Sequence, residues 1–173
     1  MKITTKKIAI YSIVAALYTV LSLSVGNFSF GPIQVRLGEV LMIFCLYDKK
    51  YIYPLTIGCL ITNALGTALG LTMWPDIIFG TFATFIACYL MILTKDIKIK
   101  GFPLVALLMP VLANGLIVGA ELAYMYGMDN YLLNFVIFGA EVALGELISV
   151  VLVGGLLYKP IGSVNRQFEI NKI

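Results

Sequence analysis

Long apolar runs separated by short polar stretches repeat along the whole chain. Six apolar segments are present, at residues 8–25, 33–47, 51–70, 77–94, 102–125 and 132–158. A helix needs about 20 residues to cross roughly 30 Å of hydrocarbon, and only the second segment, uninterrupted from 40 to 47 alone, falls well short. These runs lack the alternation of a barrel wall, and lipid cannot satisfy the backbone groups of open strands. The pattern therefore predicts transmembrane helices.

Composition agrees with this pattern. Of the 173 residues, 61% are hydrophobic and 12% are charged, whereas soluble domains average about half apolar and a quarter charged. The chain is thus predicted to be an all-α integral membrane protein of the cell membrane. Its length fits one multi-pass membrane domain, residues 1–173, built as a bundle of six transmembrane helices.

The positive charges predict the orientation of this bundle. With the N-terminus inside and six crossings, all twelve basic residues except Arg36 fall on the inner side, as the positive-inside rule requires. Both termini are therefore predicted to be cytoplasmic, with external loops around residues 26–35, 71–76 and 126–131. The first segment follows three lysines as in a secretory signal, but its apolar core is longer than a typical signal core, which favours a retained helix.

Several acidic residues lie within or at the ends of the apolar segments. They are Glu39, Asp76, Glu121, Glu141 and Glu146. An ionised carboxylate at membrane depth costs at least about 2.5 kcal/mol and normally faces the bundle interior. The four glutamates fall in the outer half or near the midplane of the predicted topology, and Asp76 is external, which predicts a polar pocket that opens outward. The alternative is that these groups only bond neighbouring helices to one another.

Helical spacing places polar residues of the fourth and fifth segments on shared faces. Asn114 and Glu121 are seven residues apart, close to two turns. Asp76, Gly80 and Thr84 recur every fourth residue, and Gly80 leaves room for a flat molecule against the backbone. Both faces are therefore candidates for the pocket wall.

Arg36 and Glu39 are separated by three residues at the start of the second segment. They can form an i, i+3 pair if the helix has begun by residue 35. Glu39 is then expected to hold Arg36, while Arg36 and Gln34 face the ligand; the alternative is a purely structural pair. The preceding loop contains helix breakers and two aromatic residues, Phe28 and Phe30, which suit a lid over a pocket mouth.

The sequence lacks the residues that metal binding, catalysis or nucleic-acid binding would require. The chain has no histidine, and its three cysteines, Cys45, Cys59 and Cys88, lie in apolar runs without CxxC spacing, so they are interpreted as packing residues and neither a metal nor a cofactor is predicted. The sequence lacks GxxxxGK[ST] and HExxH motifs and grouped aspartates. No basic patch with interleaved aromatics indicates nucleic-acid binding. A non-enzymatic membrane protein is therefore expected, with a membrane-embedded enzyme as the weaker alternative.

Short motifs spread over nearly the whole chain resemble those of the queuosine precursor transporter (QueT) family. They are QVRLGE at 34–39, Asn63, DIIFGTFAT at 76–84, PVLAN at 110–114 and GE at 145–146. The resemblance implies a substrate-binding S-component of an energy-coupling factor (ECF) transporter, which captures a 7-deazaguanine such as preQ0 or preQ1. It also implies partners in the bilayer and cytoplasm, namely a transmembrane coupling protein and two ATPases. Alternatives are an S-component for riboflavin, biotin or thiamin, or a solitary facilitator.

Two sets of residues follow from this resemblance and the patterns above. The predicted substrate-binding residues are Gln34, Arg36, Glu39, Asn63, Asp76, Asn114, Glu121 and Glu146. S-components often carry an AxxxA-like pattern on the first helix that contacts the coupling protein. Here small residues at this spacing are Ser12 with Ala16 and Ala15 with Thr19, which are predicted to form the partner interface.

Overall fold

The structure is a computed structural model that describes residues 5–31, 33–127 and 130–170, with side chains as far as Ser163. Its α-helices are α1 (Thr5–Ser24), α2 (Asn27–Phe30), α3 (Ile52–Ala68), α4 (Pro75–Thr94), α5 (Leu104–Tyr126), α6 (Tyr131–Glu146) and α7 (Gly155–Ile170). Two 3-10 helices, Leu37–Leu46 and Lys49–Tyr51, and a π-helix, Leu147–Gly154, complete the helical elements. Lys2, Lys172 and loop positions 128 and 129, which entered the topology prediction, lie outside the described residues.

Within the described residues, four helices are long and apolar enough to cross a membrane. They are α1, α4, α5 and the continuous helix from Tyr131 to Ser163, which comprises α6, the π-helix and the start of α7. Helix α3 has 17 residues, about 25 Å at 1.5 Å per residue. The predicted class of fold, a helical membrane protein, is therefore confirmed. Six crossings and cytoplasmic termini remain predictions.

The second predicted segment forms a 3-10 helix instead of an α-helix. Arg36 has an extended backbone, and the helix begins at Leu37 and ends at Leu46. A 3-10 helix rises about 2.0 Å per residue against 1.5 Å in an α-helix, so ten residues extend roughly 20 Å instead of 15 Å. This conformation lets a short apolar segment reach further through the bundle. Because the helix starts after Arg36, the condition for a helical i, i+3 pair with Glu39 is not met.

The helices pack in chain order around the 3-10 helix Leu37–Leu46. Helix α1 packs on α3, α3 on α4, α4 on α5 and α5 on α6, while the 3-10 helix lies against α1 and the π-helix. Tyr18, Met42 and Leu107 are completely buried in the core. Helices α5 and α6 approach closely, because a β-carbon on Gly119 would lie 2.5 Å from the Cα of Gly139. Such contacts between small residues are how membrane helices associate without a hydrophobic driving force.

Aromatic side chains gather at both ends of the bundle. At the end formed by the α4 and α6 N-termini, the exposed ones are Phe28, Trp74, Tyr124, Tyr126 and Tyr131. At the other end, ring contacts join Tyr11 to Tyr51, and Tyr158 to both Tyr47 and Phe102. Aromatic belts of this kind mark the two membrane–water interfaces. The distribution supports a bundle with an apolar middle and two interfacial ends.

Candidate functional site

Arg36 is the cation of a buried polar cluster. Its side chain is only 4% exposed, and its Nη2 donates to Oδ2 of Asp76 at 2.8 Å. Its Nε donates to the backbone carbonyl of Ser29 at 3.1 Å, while the hydroxyl of Thr72 donates to the same Asp76 oxygen at 3.0 Å. Asp76 lies in the first turn of α4, where the helix dipole also favours a carboxylate. The ion pair thus ties the loop before the 3-10 helix to the start of α4.

Glu39 does not hold Arg36, so that prediction is wrong. Its Oε1 accepts hydrogen bonds from the hydroxyl of Tyr18 on α1 and, at 3.4 Å, from Thr84 on α4. All three side chains are buried. The partners differ from the prediction because Arg36 precedes the helix that carries Glu39, and its guanidinium bonds to α4 instead. Glu39 therefore joins α1 to α4 through the 3-10 helix.

Helix α3 contributes Asn63 and, one turn earlier, Cys59. The side-chain amide of Asn63 donates to the backbone carbonyl of Asp76 at 2.8 Å. The sulfur of Cys59 lies 3.1 Å from the Thr84 hydroxyl and 4.0 Å from Nη1 of Arg36. Cys59 therefore packs in the hydrophobic core, as predicted, and also borders the polar cluster.

Gly80 permits a close approach between α3 and α4. A β-carbon at this position would lie 2.4 Å from Oδ1 of Asp76 and 2.8 Å from Nδ2 of Asn63. The room that the sequence predicted beside Gly80 is therefore taken by these two polar side chains. A larger residue here would displace them.

A second polar group comes from α5, α6 and the loop before the 3-10 helix. The side-chain amide of Asn114 donates to Oε1 of Glu146 at 2.7 Å, and both residues are nearly fully buried. Gln34, which is 5% exposed, lies beside them, because a β-carbon on Gly145 would be 2.4 Å from the Gln34 carbonyl oxygen. Glu121 on α5 is also buried.

The two groups form one electrostatic unit centred on Arg36. Arg36 is within electrostatic range of Glu39, Asp76, Glu121 and Glu146. One oxygen of each acid, together with Oδ1 of Asn63, is buried and has no hydrogen-bond partner among the residues that the structure describes. Buried acceptors are normally satisfied, and within the described part of the chain these oxygens outnumber the donors that reach them. Free acceptors of this kind are the groups that N–H donors or a cation would bind.

An open apolar groove of about 250 Å³ lies elsewhere, between α5 and α6. Its walls include Leu112, Leu116 and Val136, which are more than half exposed on the surface that would face lipid. None of the predicted substrate-binding residues lines it. The groove is therefore separate from the polar cluster.

The predicted partner-interface residues divide into two pairs. Ala15 and Thr19 are buried inside the bundle, where the Thr19 hydroxyl donates to the carbonyl of Gly58 on α3 at 3.1 Å. Packing against α3 thus occupies this pair, which corrects its assignment to a partner surface. Ser12 and Ala16 are exposed on the opposite side of α1 and stay candidates for a partner contact.

Sequence reasoning missed Tyr18, Ser29 and Thr72 as members of the cluster. Tyr18 lies in an apolar helix, Ser29 in the short helix α2, and Thr72 in the loop before α4. No local pattern distinguishes them from packing or solvated residues. Only the tertiary arrangement brings them to Glu39, Arg36 and Asp76.

The fold and this site define a multi-pass helical membrane protein with a buried polar cluster between its helices. In the part of the chain that the structure describes, no group of histidine, cysteine and acidic residues could hold a metal ion. The model of the QueT transporter family matches residues 8–163. The chain therefore belongs to this family, which confirms the resemblance and places the chain among membrane transporters, not enzymes.

A curated relative supports the same conclusion. It is the "Queuosine precursor transporter QueT" of Lactococcus lactis subsp. cremoris (strain MG1363), which is 39% identical over 97 residues. This alignment covers 55% of the chain and 54% of the relative, so it spans about half the length of each protein. No solved structure matches the chain.

Proposed function

We propose that the chain is the substrate-binding component of a membrane importer and that its substrate is a queuosine precursor, a 7-deazaguanine such as preQ0 or preQ1. The observation that carries this proposal is the set of unpartnered acceptor oxygens around Arg36. The family match and the printed name of the Lactococcus relative support the choice of substrate.

The chemistry of a deazaguanine complements this cluster. Its pyrimidine edge presents adjacent N–H donors, which suit the free oxygen of Glu146 or Glu121. Its ring carbonyl suits a donor from Arg36 or Gln34. The aminomethyl cation of preQ1 suits the free oxygen of Asp76. Such a ligand supplies the donors and the positive charge that the cluster lacks.

Energy for uptake would come from partners. The sequence has no nucleotide-binding motif, so ATP hydrolysis would be performed by two cytoplasmic ATPases, linked by a transmembrane coupling protein as in ECF transporters. The exposed small residues Ser12 and Ala16 on α1 are the proposed contact with the coupling protein. Close approach of helices at such small residues is common in membranes.

Thermal unfolding of the purified full chain with a ligand panel tests the substrate. A ligand that binds only the folded state at 100 times its Kd stabilises it by about 2.7 kcal/mol. We expect preQ1 and preQ0 to raise the unfolding temperature, and riboflavin, biotin and thiamin to leave it unchanged. Stabilisation by one of these vitamins, with no effect of either deazaguanine, would show that the proposed substrate is wrong.

A further inference from the structure

Phe30, the last residue of α2, lies directly over the guanidinium of Arg36. The distance from Cζ of Arg36 to the ring centroid is 5.3 Å, within the range of a cation–π contact. The same ring lies against Gly66 on α3, where a β-carbon would be 2.7 Å from Cζ and 2.8 Å from Cε1 of Phe30. Gly66 therefore provides the slot in which the ring fits.

The loop around this ring is held in place by hydrogen bonds. The Ser29 hydroxyl donates to the carbonyl of Ser22 at 2.5 Å, and the amide of Val35 donates to the carbonyl of Phe28 at 2.9 Å. Phe28, in contrast, is 74% exposed. Of the two aromatic residues of this short helix, Phe28 is thus exposed, whereas Phe30 is half-buried against Arg36 and Gly66.

We propose that Phe30 is a ligand-positioning residue of this transporter, whose ring closes the loop side of the polar cluster over a bound planar molecule, with Gly66 as the slot for the closed position. Arg36 and Asp76 are buried, and the Phe30 ring lies over the Arg36 guanidinium, so on the loop side the ring would cover a ligand bound at Arg36. The identity of the ligand rests on the proposed function; the closing role of the ring does not.

A ligand-free test uses Cys59, whose sulfur lies 4.0 Å from Nη1 of Arg36 and which is buried, as are Cys45 and Cys88. The full chain is treated with a small methanethiosulfonate reagent, and each cysteine is followed by mass spectrometry. Because labelling follows the population of open states, we expect Phe30→Ala to label Cys59 about tenfold faster than the wild type. In the matched control Phe28→Ala, Cys59 should be labelled at the wild-type rate.

Gly66→Ala provides an independent variant, because its methyl group displaces the ring without altering Phe30. It should also accelerate labelling of Cys59, and the double variant Phe30→Ala/Gly66→Ala should be no faster than Phe30→Ala alone. Equal labelling of Cys59 in Phe30→Ala and Phe28→Ala would overturn the proposal. So would simultaneous labelling of all three cysteines, since the ring would then support the fold and not close a site.

Ligand release is the second readout. We expect preQ1 to dissociate about tenfold faster from Phe30→Ala and Gly66→Ala than from the wild type, because closing residues act mainly on dissociation. Phe28→Ala should release it at the wild-type rate. If preQ1 dissociates from Phe30→Ala and Gly66→Ala at the wild-type rate, Phe30 does not position the ligand. If the wild type binds no preQ1, the proposed substrate fails, whereas the labelling experiment still decides the role of Phe30.

Discussion

Arg36 and Asp76, 40 residues apart in the sequence, form a buried ion pair with 2.8 Å between Nη2 and Oδ2. This pair fixes the loop before the 3-10 helix against the start of α4. Oδ1 of Asp76 has no hydrogen-bond partner among the described residues, so the pair is a structural link that leaves one buried acceptor unused.

Asp76→Asn should destabilise the folded protein, because it leaves a buried guanidinium without its counter-ion. Removal of one partner from a buried ion pair typically costs about 3 to 5 kcal/mol. Asp96→Asn, which alters an exposed acid in the loop after α4, is the matched control and should have almost no effect. Denaturant unfolding in detergent micelles measures both variants. Equal stability of the two variants would show that the ion pair contributes little.

The sequence predicted the class of fold and most members of the polar cluster for one physical reason. Charged and amide groups are costly in apolar segments, so Asp76, Asn114, Glu121 and Glu146 were recognisable by their surroundings. All of them are buried in the structure. Whether they bind a ligand stays a prediction.

The pairing of these residues could not be predicted from local spacing. Glu39 is three residues from Arg36, yet Arg36 bonds to Asp76 and Glu39 accepts from Tyr18, because the 3-10 helix begins only after Arg36. The contacts of Ala15 and Thr19 on α1 could not be predicted from local spacing either. Small residues at four-residue spacing fit a partner or a neighbouring helix equally well, and here they pack against α3.

Glu146→Gln should weaken preQ1 binding. The amide can still accept from Asn114, but its NH₂ group replaces an acceptor oxygen that would face N–H donors of the ligand. Loss of a hydrogen bond to a charged group costs about 1.5 to 3 kcal/mol, which corresponds to roughly tenfold to a hundredfold in Kd.

Glu141→Gln is the matched control for this variant. Glu141 also has a buried oxygen without a partner among the described residues. It lies five residues earlier on the same helix and about 140° around its axis from Glu146, so its substitution should leave the Kd unchanged. Equilibrium binding of preQ1 to the purified variants provides the comparison. An equal loss of affinity in both would indicate a general effect of removing an acid from α6.

Single added cysteines can test the topology, because the three native cysteines are buried. Met73 and Lys98 are both exposed in loops at opposite ends of α4. The lysine distribution predicts that a membrane-impermeant maleimide applied to intact cells labels Met73→Cys and not Lys98→Cys. The reverse pattern would place the termini outside the cell.

Uptake should depend on partner proteins. Proteoliposomes that contain only this chain should bind preQ1 without accumulating it, because the chain has no nucleotide-binding motif. Addition of the coupling protein, both ATPases and internal ATP should give concentrative uptake, measured with radiolabelled preQ1. Accumulation against a gradient by the chain alone would be incompatible with a role as a binding component.

Titration of preQ1 into the purified full chain and into Arg36→Lys tests the binding role of the polar cluster. A lysine can keep the charge opposite Asp76 but loses the planar fork that bonds to Ser29 and lies under Phe30. We expect saturable binding to the wild type and a Kd about tenfold to a hundredfold higher for the variant, the effect of losing one charge-assisted bond. The absence of saturable binding to the wild type, or equal affinity of the two proteins, would contradict a deazaguanine site around Arg36.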